Sequence, residues 1–168
     1  MFAAATLYTI GHSNHAAERF VALLRAAGIA CVADVRSIPY SRRWPQFRRD
    51  ALQSALGAAG IDYAWYGEQL GGKPRDAGAG RQDYAALAAR PVFGAALDAL
   101  LESARERPTA LMCAERDPLD CHRFHLLAGP LLARGAALVH LLANGGRETQ
   151  AEAEARLARR DPQGRLFA

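Results

Sequence analysis

Three observations predict an α/β domain built on a mostly parallel, five-stranded sheet with helices on both faces. Short apolar runs alternate with amphipathic runs along the chain, and that alternation builds parallel strands through crossover helices. The first two apolar runs, Leu7 to Ile10 and Ile29 to Val35, are separated by a single helix-periodic run, giving a crossover unit of about 30 residues. No linker-like stretch divides the 168 residues, and a hydrophobic content of 51% with 23% charge suits one ordinary core, so residues 1–168 are expected to form a single domain.

Each element has its own signal. Leu7 to Ile10 is apolar and β-branched and breaks at Gly11-His12-Ser13-Asn14, a strand and a turn. From Ala16 to Ala27, Phe20, Leu23, Leu24 and Ala27 recur at helical spacing, and Gly28 supplies the stop. Ile29 to Val35 is a second strand ending in Asp34-Val35-Arg36. Arg36 to Phe47, with two prolines, reads as irregular; Arg48 to Ala59 reads as a helix closed by Gly60, and Ile61 to Tyr66 as a third strand. Gly71 to Gly80 has the composition of an exposed loop. Val92 to Arg105 is amphipathic through Phe93, Leu97, Leu100 and Leu101, and Thr109 to Cys113 is a fourth strand. A helix beginning at Asp117 or Asp120 runs to Ala133, Ala137 to Leu142 is a fifth strand, and the polar run Thr149 to Arg160 is a last helix ended by Asp161-Pro162.

Composition excludes several classes. No apolar run approaches the roughly 20 residues of a membrane span, and Met1 to Ala5 lacks the pattern of a signal peptide, so a cytoplasmic protein with no membrane partner is expected. Three cysteines make no disulfide framework, and Cys31 sits in an apolar run as a small hydrophobe. The net charge is +4, with Lys73 the one lysine among 21 basic residues. Arginine suits planar, bidentate contact with phosphate and carboxylate.

In parallel sheets ligands bind beyond the carboxyl ends of the strands. Three predicted strands run into polar groups there: Gly11-His12-Ser13, Asp34-Val35-Arg36 and Cys113-Ala114-Glu115. The last continues through Arg116-Asp117-Pro118-Leu119-Asp120 to Cys121-His122-Arg123, which places two thiols, an imidazole, a carboxylate and a guanidinium within eleven residues. That set supplies a nucleophile, a proton carrier and an anion holder. Cys121 near a helix start has its thiol pKa drawn down, and Cys113 stands at a strand end, so either can be the nucleophile; an inert, capped turn is the plain alternative. His122 or His12 would move protons, with Glu115 or Asp34 orienting them, and Asp34 can act as base or simply hold Arg36 or His12. Arg36 and Arg123 would hold the anion, with Gly11, Ser13 and Tyr40 lining the pocket.

Two other patterns bear on the site. Phosphatase and rhodanese loops need an arginine six positions after the cysteine, and here those positions are Leu119 and Leu127. Cys113, Cys121, His122 and His12 are acceptable zinc ligands, but the seven-residue gap between the cysteines is not a zinc-finger spacing and Arg116 and Arg123 add positive charge. No cofactor or metal is therefore expected, with zinc the lesser possibility. The window Arg36 to Arg49 has five arginines, no acid and three aromatics. That composition suits phosphate contact with base stacking through Arg42, Arg43 and Trp44, or a basic loop packed on the domain. Tyr63, Trp65 and Tyr66 read as core or pocket wall.

Thr9-Ile10-Gly11-His12-Ser13, Asp34-Val35-Arg36 with Pro39 and Ser41, Tyr66, Leu70-Gly71-Gly72, and Cys113-Ala114-Glu115 with Cys121-His122-Arg123 together resemble the family called domain of unknown function 488. The resemblance implies an α/β domain and a site at these residues, without an assigned reaction. The functional expectation is a small thiol-dependent enzyme acting on a phosphate-bearing substrate, a nucleotide or nucleic acid. The alternative is a non-catalytic nucleic-acid-binding module using residues 36–49, with the cysteine cluster structural or metal-binding. Reaction, oligomeric state and the role of residues 71–82 are not readable from the sequence.

Overall fold

The computed structural model describes residues 4–76, 78 and 80–165; the expectations for residues 1–3, and for Ala77 and Ala79 of the glycine-rich loop, lie outside them. Among the described residues six strands form one sheet in the order β3-β2-β4-β1-β5-β6. They are β1 Thr6–Gly11, β2 Cys31–Asp34, β3 Asp62–Trp65, β4 Thr109–Cys113, β5 Ala137–Leu141 and β6 Arg147–Thr149. The first five are parallel, and β6 pairs antiparallel with β5 at the edge. The sequence reading misses β6 because it is three polar residues long; a tight turn makes it, in which Gly145 adopts φ of 90° and Asn144 Oδ1 accepts the Gly146 N–H.

Helices cover both faces. On one, α1 Ala17–Ala26 and α2 Arg49–Ala58 place Phe20, Leu24, Leu52 and Leu56 against Ile10, Val32, Ala110 and Met112. On the other, α5 Pro91–Glu106 places Phe93, Leu97, Leu100 and Leu101 against Leu7, Ala33, Leu111 and Leu138. Alternate residues of β4 serve the two cores, so the strand is buried throughout and reads as a continuous apolar run. Each such leucine contributes about 1.5–3 kcal/mol by leaving water. Two short helices escape the sequence reading, α3 Gly67–Leu70 and α4 Tyr84–Ala88. At four and five residues they are too short to show a period, and Asp83 caps α4 through a bond from Ala86 N–H.

The helix expected from Asp117 or Asp120 to Ala133 is not uniform. Asp117 caps a 3-10 turn over Pro118–Asp120, the chain extends at Cys121, and a π-helical stretch Arg123–Ala128 runs into α6 Gly129–Ala133. Pro130 has no N–H to give the Leu126 carbonyl, which removes one α-type bond, and single turns of π-helix recur at functional sites. Finally α7 Gln150–Arg160 packs beside β5 and β6 behind a capping box of Thr149 and Glu152. Among the described residues no helix is long and apolar enough to cross a membrane.

This topology opens a crevice at β4. The chain leaves β1 and β2 toward the face of α1 and α2, whereas it leaves β4, which lies between them, toward the face of the π-helical stretch and α6. Loops that diverge from neighbouring strands leave a cleft at their carboxyl ends.

Candidate functional site

The floor of the crevice begins at β2. Asp34 is fully buried, and its carboxylate accepts four N–H or O–H groups: Arg36 N–H (3.1 Å) and Nε–H (2.9 Å) on Oδ1, Arg36 Nη2–H (2.7 Å) and the Tyr63 hydroxyl (2.7 Å) on Oδ2. A carboxylate filled in this way is a positioning group rather than an open base. Burial, and then the Asp34 charge, raise the Tyr63 hydroxyl, so it stays a donor. Arg36 continues inward, donating through Nη1 to the Phe47 carbonyl (2.8 Å) and to His12 Nε2 (3.3 Å). His12 Nε2 is thus an acceptor, and its Nδ1–H donates to the Ser13 carbonyl (2.9 Å). Burial is the largest cause that pushes the His12 pKa down to about 4, and the ring stacks on Phe47 at 4.3 Å. A neutral, doubly engaged imidazole fixes the turn after β1 and is poorly placed to shuttle protons.

The tail of β1 remains zipped to the tail of β4. His12 N–H donates to the Cys113 carbonyl (2.8 Å) and Ser13 N–H to the Ala114 carbonyl (2.9 Å), with Ser13 in the left-handed region at φ 49°. A Cβ on Gly11 would lie 1.8 Å from the Glu115 carbonyl oxygen. Glycine is required there by close backbone approach.

Cys113, Cys121 and His122 meet beside this turn, with Cys113 Sγ at 3.5 Å and Cys121 Sγ at 3.8 Å from His122 Nδ1. His122 Nε2–H donates to the Val35 carbonyl (3.1 Å), which fixes the ring and leaves Nδ1 facing both sulfurs. Arg123 is 1% exposed and, among the described residues, meets no carboxylate. Its Nε–H (3.2 Å) and backbone N–H (3.4 Å) donate to Cys121 Sγ, Nη1–H to Thr9 Oγ1 (3.2 Å) and Nη2–H to the Glu115 carbonyl (2.7 Å). Cys121, and after it Cys113 and the Glu115 charge, favour the cationic form of this buried guanidinium. Burial opposes ionisation of Cys121, but the Cys113 hydrogen bond and then the Arg123 charge outweigh it and hold the thiol well below its usual pKa. Cys113 moves the other way, first because its S–H is engaged by Cys121 and then because it is buried.

Behind Arg123 runs a buried relay that sequence reasoning misses. The Thr9 hydroxyl donates to His140 Nδ1 (2.7 Å) and His140 Nε2–H to Gln150 Oε1 (3.0 Å), both residues being buried in or beside β5. Single polar letters inside apolar runs, Thr9 in β1 and His140 in β5, are the only signal the sequence carries for it.

Above the cluster lies a cleft of about 680 Å³, lined by Ser13, Arg36, Lys73, Tyr84, Cys113 and His122 among others. A second cavity of about 800 Å³ adjoins it across Gly72, Lys73, Tyr84 and His122 and reaches Cys121. Gly72 packs against the His122 ring, and Ser37 Oγ accepts the Lys73 N–H (2.8 Å), bringing the glycine-rich loop to the cleft. Tyr40 and Trp44 form part of the rim, with Arg48 over the Tyr40 ring (4.8 Å) and Arg43 over the Trp44 ring (5.5 Å); Arg42 is exposed. The structure brings the predicted residues to one edge but divides their roles. Most N–H donors of Arg36 and Arg123 point to protein groups, Glu115 offers Arg123 its backbone carbonyl, and among the described residues lining the cleft Lys73 is the exposed cation, beside the exposed acids Glu115 and Asp120.

A family model described as "Domain of unknown function DUF488" matches residues 16–128. The matched span holds Asp34, Arg36, Cys113, Cys121, His122 and Arg123, whereas His12 and β1 precede it. No curated protein and no solved structure matches the chain.

Proposed function

The chain belongs to the family described as Domain of unknown function DUF488, and on that premise we propose a small thiolate-dependent enzyme acting on a phosphate-bearing substrate, a nucleotide or nucleic acid. The observation that carries this reading is the Cys121–Arg123 pair, a buried guanidinium whose anionic contact is a sulfur at 3.2 Å. A thiolate is the reactive form of cysteine. Cys121 Sγ supplies the electron pair, the Cys113 thiol lies beside it, and His122 Nδ1, within reach of both sulfurs, is the group placed to move a proton. Support for a negative substrate comes from Lys73 at the junction of the two cavities and from the acid-free sequence Arg36 to Arg49, whose Tyr40 and Trp44 line the cleft. The exposed Tyr40 ring and Trp44 suit stacking on a base.

The test is alkylation of reduced, chelator-treated protein by iodoacetamide at neutral pH, with site-resolved mass spectrometry and added ligands. Cys121 is expected to react first, and a nucleoside monophosphate or short oligonucleotide is expected to slow it where the parent nucleoside does not. Protection by neither phosphate-bearing ligand would remove the substrate assignment. A Cys121 no faster than Cys31 would remove the nucleophile. A non-catalytic nucleic-acid module is the competing reading, and its mark is salt-sensitive oligonucleotide binding that survives Cys121→Ser and fails in Arg43→Ala with Trp44→Ala.

A further inference from the structure

Two sulfurs and a ring nitrogen within 4.8 Å of one another can do more than share a proton. With zinc bond lengths of about 2.3 Å to sulfur and about 2.0 Å to nitrogen, tetrahedral ligand atoms stand roughly 3.5 Å (S to N) and 3.8 Å (S to S) apart. The observed separations from His122 Nδ1 are 3.5 Å to Cys113 Sγ and 3.8 Å to Cys121 Sγ, and the sulfurs need to approach by no more than about 1 Å to complete the face. The tautomer is already correct, since Nε2–H is committed to the Val35 carbonyl and Nδ1 is left with its lone pair toward both sulfurs. A carbonyl on the far nitrogen is the usual second partner of a metal-bound histidine. Arg123 donates N–H bonds to Cys121 Sγ, an arrangement compatible with a metal-bound thiolate. The cleft reaches Cys113 and His122 and the second cavity reaches Cys121, so a fourth ligand has room.

We propose that Cys113 Sγ, Cys121 Sγ and His122 Nδ1 bind one divalent ion of the zinc class, leaving its fourth position open to the cleft. The C-x7-C-H spacing counts against such a site in the sequence because it matches no knuckle; here a strand end and the start of a helix bring the donors together. Binding forms two metal–sulfur bonds and one metal–nitrogen bond, releases the Cys113 thiol proton to water, and oxidises nothing. An occupied site takes Cys121 out of service as a nucleophile. The metal site stands on donor geometry alone; its silencing effect rests on the thiolate reading above.

Titration of reduced, metal-free protein with Co²⁺ under anaerobic conditions tests it. The expected result is one ion per chain, with strong visible bands of a four-coordinate site and sulfur-to-cobalt charge transfer, displaced by Zn²⁺. Cys113→Ser and Cys121→Ser are each expected to weaken binding by more than the roughly 10- to 100-fold that a second-shell change produces, while Cys31→Ser leaves it unchanged. No charge-transfer band at stoichiometric Co²⁺, or a band that survives the double cysteine variant, overturns the site. A wild-type measurement guards against unfolded variants: Zn²⁺ is expected to protect Cys113 and Cys121 from iodoacetamide, and EDTA to restore their reaction. Absent protection overturns the proposal even where alkylation of the metal-free protein upholds the thiolate.

Discussion

A guanidinium that is 1% exposed keeps its charge, so Arg123 needs a negative group within reach, and the structure offers Cys121 Sγ. Asp34 and Arg36 solve the same problem with a carboxylate, at 0% and 5% exposure. The two pairs differ in what is left over: Asp34 is filled by donors, whereas a thiolate keeps lone pairs for an electrophile. Asp34→Asn leaves a buried cation unpaired and is expected to cost about 3–5 kcal/mol in urea unfolding at neutral pH. Tyr63→Phe removes one hydrogen bond to a charged group and is expected to cost about 1.5 kcal/mol; equal losses in the two variants would contradict this division. Residue identity was legible in the sequence for both pairs, since Asp34, Arg36, Cys121 and Arg123 stand out from their flanks. Partner choice was not. Arg123 reads as an anion holder from its letter, and only the fold shows its donors turned inward.

Elements hold these residues through two junctions. Where β1 meets the segment after β4, Gly11 lets the Glu115 carbonyl approach to a distance no side chain allows, and that carbonyl also receives Arg123. Gly11→Ala is expected to lower the melting temperature and to slow Cys121 alkylation by about tenfold, the rate change of a 1.4 kcal/mol perturbation. Unchanged alkylation in a folded variant would uncouple the turn from the thiolate. At the second junction Arg156 of α7 clamps Asp117 (2.8 Å) and Glu148 (2.7 Å), and the hydrogen bonds from Arg156 are the main reason the Asp117 carboxyl lies below its usual range. A carboxyl lowered on folding stabilises above its unfolded pKa, about 3.9, and that contribution is lost as pH falls through the folded value. At a third exposed the clamp is screened, so Asp117→Asn is expected to cost about 1 kcal/mol, or roughly 2–4 °C, at pH 7. The gap to wild type should close on acidification below about pH 4; a gap that widens would contradict the sign. The main helices and five strands were legible because their periods run over several turns or residues. The π-helical stretch, β6, α3 and α4 were not, since backbone hydrogen-bond register and three- to five-residue elements leave no period.

At the scale of the whole molecule the parallel sheet gathers groups from β1, β2 and β4 at one edge, which alternating apolar and amphipathic runs were enough to forecast. The forecast could not show that the arginines are engaged inside or that a cleft and a second cavity share Lys73, Tyr84 and His122. The second cavity, rather than any one motif, gives the buried Cys121 side chain open space beside it. The central claim is that Cys121 is ionised at neutral pH because Arg123 is buried against it. Ultraviolet thiolate absorbance of reduced, metal-free protein tests it, read as the difference between wild type and Cys121→Ser at pH 7. One thiolate per chain, absent in Cys121→Ser and reduced in a folded Arg123→Met, is the predicted result. A wild-type spectrum identical to that of Cys121→Ser would contradict it.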